Sequence, residues 1–273
     1  MRHEENVMRE RSMFSVTFFV MLLTLVSMGL LYEGGKPAYA NTVPTIEVHR
    51  PLIIMGYTGL TFQLDVTVNN LQASQQVVGI QFRLLFNATL LEFISVTEGP
   101  FLPYYASQQP GSMGTWFSGT YEPDGGYGPH VLCGELILPN STGEYNPPYP
   151  EGNGTIATIS FKTAYKGSKT LSCDLVLMDT QIVNSTGGSV THEVGNGLYK
   201  MRGNVGDVNA DGVVDMKDVF IVGKAYGECP GRPRWNPIAD ITPPKNNEMD
   251  CIVDARDYFI AAHNFGWDET KQP

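Results

Sequence analysis

The run Asp207-Val208-Asn209-Ala210-Asp211-Gly212-Val213-Val214-Asp215-Met216-Lys217-Asp218 constrains this chain more than any other stretch. Oxygen-bearing side chains recur at Asp207, Asn209 and Asp211 and again at Asp215 and Asp218, and Gly212 stands where such a loop turns most sharply. This is the ligand spacing of a calcium loop, with side-chain oxygens at its first, third, fifth, ninth and last positions. Ca²⁺ is a hard cation that takes about 6 to 8 oxygens, so alternate carboxylates and an amide converge on one ion, Val213 adds its backbone carbonyl, Asp215 ligates directly or through water and Asp218 closes the shell. The loop departs from the commonest form in ending on Asp rather than Glu. No helix-like stretch precedes it, because Asn196 to Gly206 is rich in Gly and Asn.

A helix is expected to follow. Asp215 is placed to N-cap it and Asp218 stands three residues on in a capping-box position. Val219, Phe220, Ile221, Val222, Ala225 and Tyr226 supply its apolar face, and Gly227 ends it. The phrase from Asp211 to Gly227 then recurs 39 residues on, from Asp250 to Gly266, which marks an internal duplication. In the second copy Asp250, the Ile252 carbonyl, Asp254 and Asp257 are in register, but Cys251 replaces the turn glycine. Its first ligand pair is read as Asp240 and Thr242, with 17 residues from Asp240 to Asp257 against 11 from Asp207 to Asp218. Counting without an insertion places that pair at Asn246 and Glu248 instead.

This tandem of loop-plus-helix units resembles the dockerin domain, the plug by which secreted assemblies of polysaccharide-degrading microbes dock onto cohesin domains. The first repeat follows the family's D-x-N-x-D-G-x-V-D-x-x-D pattern throughout, and the second departs from it at Cys251 and in the length of its loop. The resemblance implies two Ca²⁺ ions, the first site the better matched, and a cohesin-type partner, another copy of this chain being one candidate. It also implies a partner-binding face next to the last ligands, at Met216, Lys217 and Lys224 in one repeat and Ala255, Arg256 and His263 in the other. About 70 residues with two short helices bury too little apolar surface to fold without a metal or disulfides, so calcium is expected to be structural for residues 201–273 while the rest stays folded without it.

Ahead of this module the period changes to two. Leu60 to Asn69, Val78 to Phe86 and Thr155 to Thr163 alternate apolar with polar residues between Gly, Asn and Pro, which indicates an antiparallel β-sandwich or jelly roll over residues 41–200. The phrases Phe62–Asn70, Val78–Gly99 and Gly154–Lys162 resemble the cohesin family and its carbohydrate-binding-module relatives. The stretch from Pro100 to Pro150 follows that pattern poorly. It is expected to be loop-rich, with Tyr104, Tyr105, Trp116, Phe117, Tyr121, Tyr127, Tyr145 and Tyr149 covering the core or offering rings to a sugar or a protein. The fold expected is therefore mainly β, a cohesin-like sandwich, with a small all-α calcium module.

Residues 1–40 belong to neither domain. Arg2, Arg9 and Arg11 precede the apolar run Met13 to Leu31, and Ala38-Tyr39-Ala40 gives a small-x-small cleavage pattern, so a secretory signal with a mature start at Asn41 is expected, a retained signal anchor being the alternative. Either way the remainder lies outside the cytoplasm, secreted or at the cell surface. In an exported chain an even cysteine count implies disulfides, and the distribution favours Cys133 with Cys173 and Cys229 with Cys251; a zinc site is the competing reading. Sequons stand at Asn87, Asn140, Asn153 and Asn184. The net charge of −10 leaves no basic stripe with which to neutralise phosphates and argues against nucleic acid as a partner. His49, His130, His192 and His263 lie in no catalytic motif, and no nucleophile elbow or phosphate loop occurs. The function read from the sequence is a non-catalytic assembly or adhesion protein, the alternative being a carbohydrate-binding or carbohydrate-active protein whose sandwich grips a polysaccharide.

Overall fold

Alternating side chains build the sandwich. In a computed structural model that describes residues 43–124, 126–245 and 249–272, the strands are β1 (Thr45–Val48), β2 (Leu52–Met55), β3 (Thr61–Leu71), β4 (Val77–Leu85), β5 (Leu91–Glu98), β6 (Thr115–Glu122), β7 (His130–Ile137), β8 (Gly152–Thr163), β9 (Leu171–Asn184), β10 (Glu193–Gly195) and β11 (Gly197–Met201). The expected signal, 1–40, lies outside the described residues. One sheet runs β10-β1-β3-β8-β5 and the other β2-β11-β9-β4-β7-β6. Ile80, Phe82 and Leu84 of β4 face Ile156, Ile159 and Phe161 of β8 across a core in which these side chains are almost wholly buried. Phe161 lies edge-on to Phe86 with ring centroids 4.8 Å apart, and Tyr199 of β11 stacks on Phe62 at 5.8 Å.

Two features lie beyond the alternation pattern. The stretch expected to be loop-rich carries a helix, α1 (Phe101–Gln108), and the paired strands β6 and β7. Phe101, Leu102 and Ala106 are buried from α1, and Tyr105, Phe117, Tyr121, Tyr145 and Tyr149 pack against the core, while Tyr104, Trp116 and Tyr127 are exposed. Gly99, which ends β5, passes so close to β8 that a Cβ there would stand 2.2 Å from the Thr155 carbonyl oxygen. Only glycine fits, and the chain can then turn directly into α1.

The first and last strands of the sandwich close both sheets. β1 pairs with β10 and β2 with β11, each in parallel, so β11 is held between β2 and β9. The chain leaves β11 straight into the repeats, which carry α2 (Met216–Ala225) and α3 (Ala255–His263) over a small core of Val208, Val222, Ala225, Ala239, Ile241, Val253 and Ala261. Residues 43–273 form one compact unit.

The expected Cys133–Cys173 bridge does not form. Cys133 lies on β7 and Cys173 on β9 with β4 between them, a lateral separation of about 9.6 Å when a disulfide needs its Cα atoms within about 7 Å. Burial pushes the Cys133 thiol up to about 12. The Cys229–Cys251 bridge is not formed either, and Cys251 turns its sulfur to the Met249 carbonyl, 3.7 Å away.

Glu135 of β7 points into the sandwich and is only 4% exposed. As a carboxylate it has no partner for either oxygen among the described residues. Burial first, and then the charge of Glu98 on β5 and a hydrogen bond to it, push its pKa up to about 9. Protonated, it donates to Glu98 and ties the two sheets together. A carboxyl whose pKa is raised on folding stabilises the fold fully below its unfolded value, near 4.5, and loses that contribution as pH rises through its folded value. Melting temperature is therefore expected to fall between about pH 5 and 9, and Glu135→Gln to flatten that slope, as thermal melts across the range will measure.

Candidate metal centre

Each repeat closes on one buried carboxylate. In the first, Asp218 is fully buried and accepts from the Asn209 amide on Oδ1 (3.2 Å) and from the Asp215 amide on Oδ2 (2.8 Å). In the second, Asp257 is equally buried and accepts on Oδ1 from the Ile241 and Thr242 amides (both 2.7 Å) and the Thr242 hydroxyl (2.9 Å), and on Oδ2 from the Asp254 amide (2.8 Å). Asp215 and Asp254 also cap α2 and α3 by accepting from the amides of Lys217 and Arg256, each completing a capping box. The same residue thus starts the helix and shapes the loop.

The first ligand of each loop is matched as well. Asp207 Oδ2 accepts from the Gly212 amide at 2.9 Å, and Asp240 Oδ2 from the Cys251 amide at 3.1 Å. Cys251 takes the left-handed turn of Gly212, with φ of 57° against 89°. The lengthened loop therefore reaches the same geometry with Asp240 and Thr242 in the places of Asp207 and Asn209, while Asn246 and Glu248 lie outside the described residues. Asp211 Oδ1 and Asp250 Oδ1 each accept from the amide two residues on, at Val213 and Ile252.

The two repeats lock reciprocally. Gly227, which ends the first helical segment, donates its amide to the Val253 carbonyl at 2.8 Å, and Gly266 donates to the Val214 carbonyl at 2.9 Å. Both glycines have positive φ, 77° and 89°. Each repeat thus finishes on the other's loop.

The donors gathered here are hard oxygens, and the charge is unbalanced. Burial first, then Asp257 and Asp250, push Asp240 up to about 7, and burial raises Asp207. Asp240 Oδ1 is buried with no partner among the described residues. Lys217 Nζ stands 3.1 Å from Asp211 and 3.6 Å from Asp215, and the Arg256 guanidinium pairs with Asp250 and Asp254, so a basic side chain already sits at the mouth of each loop. Among the described residues no three carboxylate, thiol or imidazole groups converge closely enough to hold an ion as they stand, since the carboxylates are turned to loop amides and to these cations. The set still fits Ca²⁺ in kind: oxygen donors alone, a left-handed turn in the middle of the loop and an orphaned buried carboxylate oxygen.

Beside the loops, Met216, Lys217, Lys224, Ala255, Arg256 and His263 are all exposed. Phe220 and Phe259, one turn beyond Met216 and Ala255, are 68% and 67% exposed, and Phe259 stacks on His263 with centroids 5.7 Å apart. Val222 and Ala225 face inward while Phe220 and Tyr226 face out, contrary to the apolar face expected of this helix. A helix with apolar residues on every side shows no stripe. The available signal was the duplication, which puts phenylalanine at the same place in both copies.

On the sandwich, the outer face of β9-β4-β7-β6 carries Trp116, 55% exposed, over Gly134. At its end Arg83 pairs with Asp179 (3.1 Å), lies over the Tyr127 ring (4.7 Å) and meets His130, which in turn approaches Glu122 (3.0 Å). His130 is fully buried in this network, a packed histidine. His192 is likewise spent, between the Val190 carbonyl and the Thr180 hydroxyl. Of the sequons, Asn87 and Asn140 lie in connections, Asn184 ends β9 and Asn153 lies near the start of β8; Asn87, Asn140 and Asn184 accept from the amides and hydroxyls of Thr89, Thr142 and Thr186, and Asn153 from the Asn70 amide.

A family model for the cohesin domain matches residues 54–114, the stretch from β2 through α1. Solved structures similar to the chain include a non-cellulosomal cohesin from the hyperthermophilic archaeon Archaeoglobus fulgidus (19% identity, 59% of this chain and 91% of that one, TM-score 0.41). They also include the sixth cohesin of scaffoldin B from Acetivibrio cellulolyticus in complex with a dockerin (18%, 59% and 100%, TM-score 0.44) and a type I cohesin–dockerin complex from Clostridium thermocellum (9%, 61% and 98%, TM-score 0.44). No curated protein matches.

The two turns predict opposite effects of substitution. Gly212→Ala forces a side chain into the left-handed region and is expected to destabilise by about 1 kcal/mol or more, whereas Cys251→Gly relieves the same cost in the second loop and is expected to be neutral or stabilising by up to about 1 kcal/mol. Thermal melts of the two variants beside the parent chain measure both.

Proposed function

We propose that this chain is an exported, non-catalytic assembly protein whose C-terminal repeats bind two calcium ions and dock, dockerin-like, on a cohesin-type domain. The observation that carries the reading is the matched pair Asp218 and Asp257, each buried and each gathering the third and ninth positions of its own loop. Asp207, Asn209, Asp211, Val213, Asp215 and Asp218 would hold one ion, and Asp240, Thr242, Asp250, Ile252, Asp254 and Asp257 the other. When bound, calcium supplies the positive charge that the gathered carboxylates lack. Lys217 and Arg256 release their carboxylates to it and project toward the partner.

The docking face is formed by Phe220 and Phe259, framed by Met216, Lys217, Lys224, Ala255, Arg256 and His263. Two exposed aromatics at equivalent places make an apolar centre with a basic rim, the composition of a protein-binding patch. The sandwich is itself supported as cohesin-like by the family match, and the similar solved structures include cohesins held by dockerins. Its outer face, with Trp116 over Gly134 and Glu122 and Asp179 at one end, suits a basic-rimmed partner, so a second copy of this chain qualifies as one. Trp116 also suits stacking on a sugar ring, which is the specific support for a carbohydrate-binding reading.

Immobilised full-length chain is expected to capture cohesin-type domains from a panel in millimolar calcium and to release them in chelator. Phe220→Ala with Phe259→Ala should weaken that capture about 30-fold or more while calcium binding persists. Capture of polysaccharide with no protein captured would favour the carbohydrate reading. A chain that binds neither class overturns the docking assignment.

A further inference from the structure

The repeats do not hang from a linker. The chain is still in the ladder at Arg202, whose amide donates to the Met55 carbonyl of β2 at 2.8 Å. The Arg202 side chain is buried and turns into the repeats, where Nη2 donates to the Val208 carbonyl at 2.9 Å and to the Ile238 carbonyl at 2.7 Å. From the other side of the junction the Tyr57 hydroxyl, just past β2, donates to the Ile241 carbonyl at 2.7 Å. Val208 and Ile241 occupy the same place in the two loops, between the first and second oxygen ligands. Each loop is therefore gripped at its second position by a donor from the sandwich side. Lys200 of β11 adds a bond to the Ala210 carbonyl at 3.1 Å, and the Thr170 hydroxyl reaches Asp207 at 3.4 Å.

Alternation explains why this carbonyl is the one gripped. Oxygens at the first and third positions turn toward the ion, so the residue between them turns its own groups away, toward whatever backs the loop. In a free-standing module that backing would be water. Here it is two fixed donors just past the ends of the adjacent strands β2 and β11, which restrict the backbone of each loop before any ligand arrives and lower the ordering cost of closing around a cation.

We infer that Tyr57 and Arg202 are positioning residues for the two loops, and that through them filling of the loops stiffens β2 and β11 of the sandwich. This rests on the calcium reading above. Coupling between two sites is reciprocal, so whatever the sandwich contributes to calcium affinity, calcium returns as stability of the sandwich. The sandwich is then not indifferent to chelation, contrary to what a pair of independent domains predicts.

Isothermal titration with calcium and hydrogen-exchange mass spectrometry on the full mature chain test the inference. Tyr57→Phe deletes one hydroxyl and is expected to weaken the second loop about fivefold while leaving the first unchanged, and Arg202→Lys to weaken both. In the parent chain calcium should slow exchange in peptides covering β2 and β11 as well as in the loops. In Tyr57→Phe the β2 protection should be lost while the loops remain protected. Parent-like affinities and β2 protection in both variants would overturn the positioning role and leave the calcium reading standing. Loops that gain no protection in the parent chain would overturn the calcium reading, and this inference with it.

Discussion

A carboxylate removed from water is stable only where its charge and its lone pairs are met, and Asp218 and Asp257 are both fully buried. Each is met from two directions by amides of its own loop, and in meeting them it fixes the loop's first half, its second half and the start of the following helix at once. The reciprocal bonds of Gly227 and Gly266 then tie the two loops to one another. Backbone amides satisfy the lone pairs of these aspartates, but the net negative charge of each cluster remains. Lys217 and Arg256 offset part of it from solvent-exposed positions, where such pairs contribute little. A divalent cation inside the loop is the counterion that this concentration of charge suits.

The sandwich contributes more than an attachment point. β11 is clamped between β2 and β9, so the residue that follows it enters the repeats at a fixed angle, and Arg202 is buried across the junction as a result. Burying a guanidinium is costly, which lowers its pKa to about 10, and the nearby Asp207 and Asp218 charges work against that shift. The geometry suits a chain in which the outward helix faces, with Phe220 and Phe259, are held rigidly with respect to the sandwich. A rigid presentation lowers the entropy lost on docking.

Local chemistry was legible in the sequence and long-range placement was not. The spacing from Asp207 to Asp218 and the 39-residue repeat located both loops and both helices, because ligand alternation and capping are set within a few residues. The register of the second loop was decipherable at Asp240 because Asp240-Ile241-Thr242 repeats Asp207-Val208-Asn209 in kind. Strand alternation likewise gave β3, β4 and β8. The Cys133–Cys173 pair failed because evenness of count says nothing about strand order, and β4 separates the two. Phe220 was assigned inward because an apolar residue in a helix carries no label saying whether a core or a partner covers it. Arg202 and Tyr57 were invisible for a different reason: 145 positions separate Tyr57 from Arg202, and only the pairing of β2 with β11 brings them to one junction.

The proposed docking depends on one calcium site in each repeat, built on its buried aspartate. Native mass spectrometry of the mature chain titrated with calcium counts the ions directly. Two ions are expected on the parent chain, one on Asp218→Ala and one on Asp257→Ala, each variant keeping the site in its other loop. A parent chain that takes up no calcium at millimolar concentration, or variants that still bind two ions, would overturn the assignment of one site to each buried aspartate.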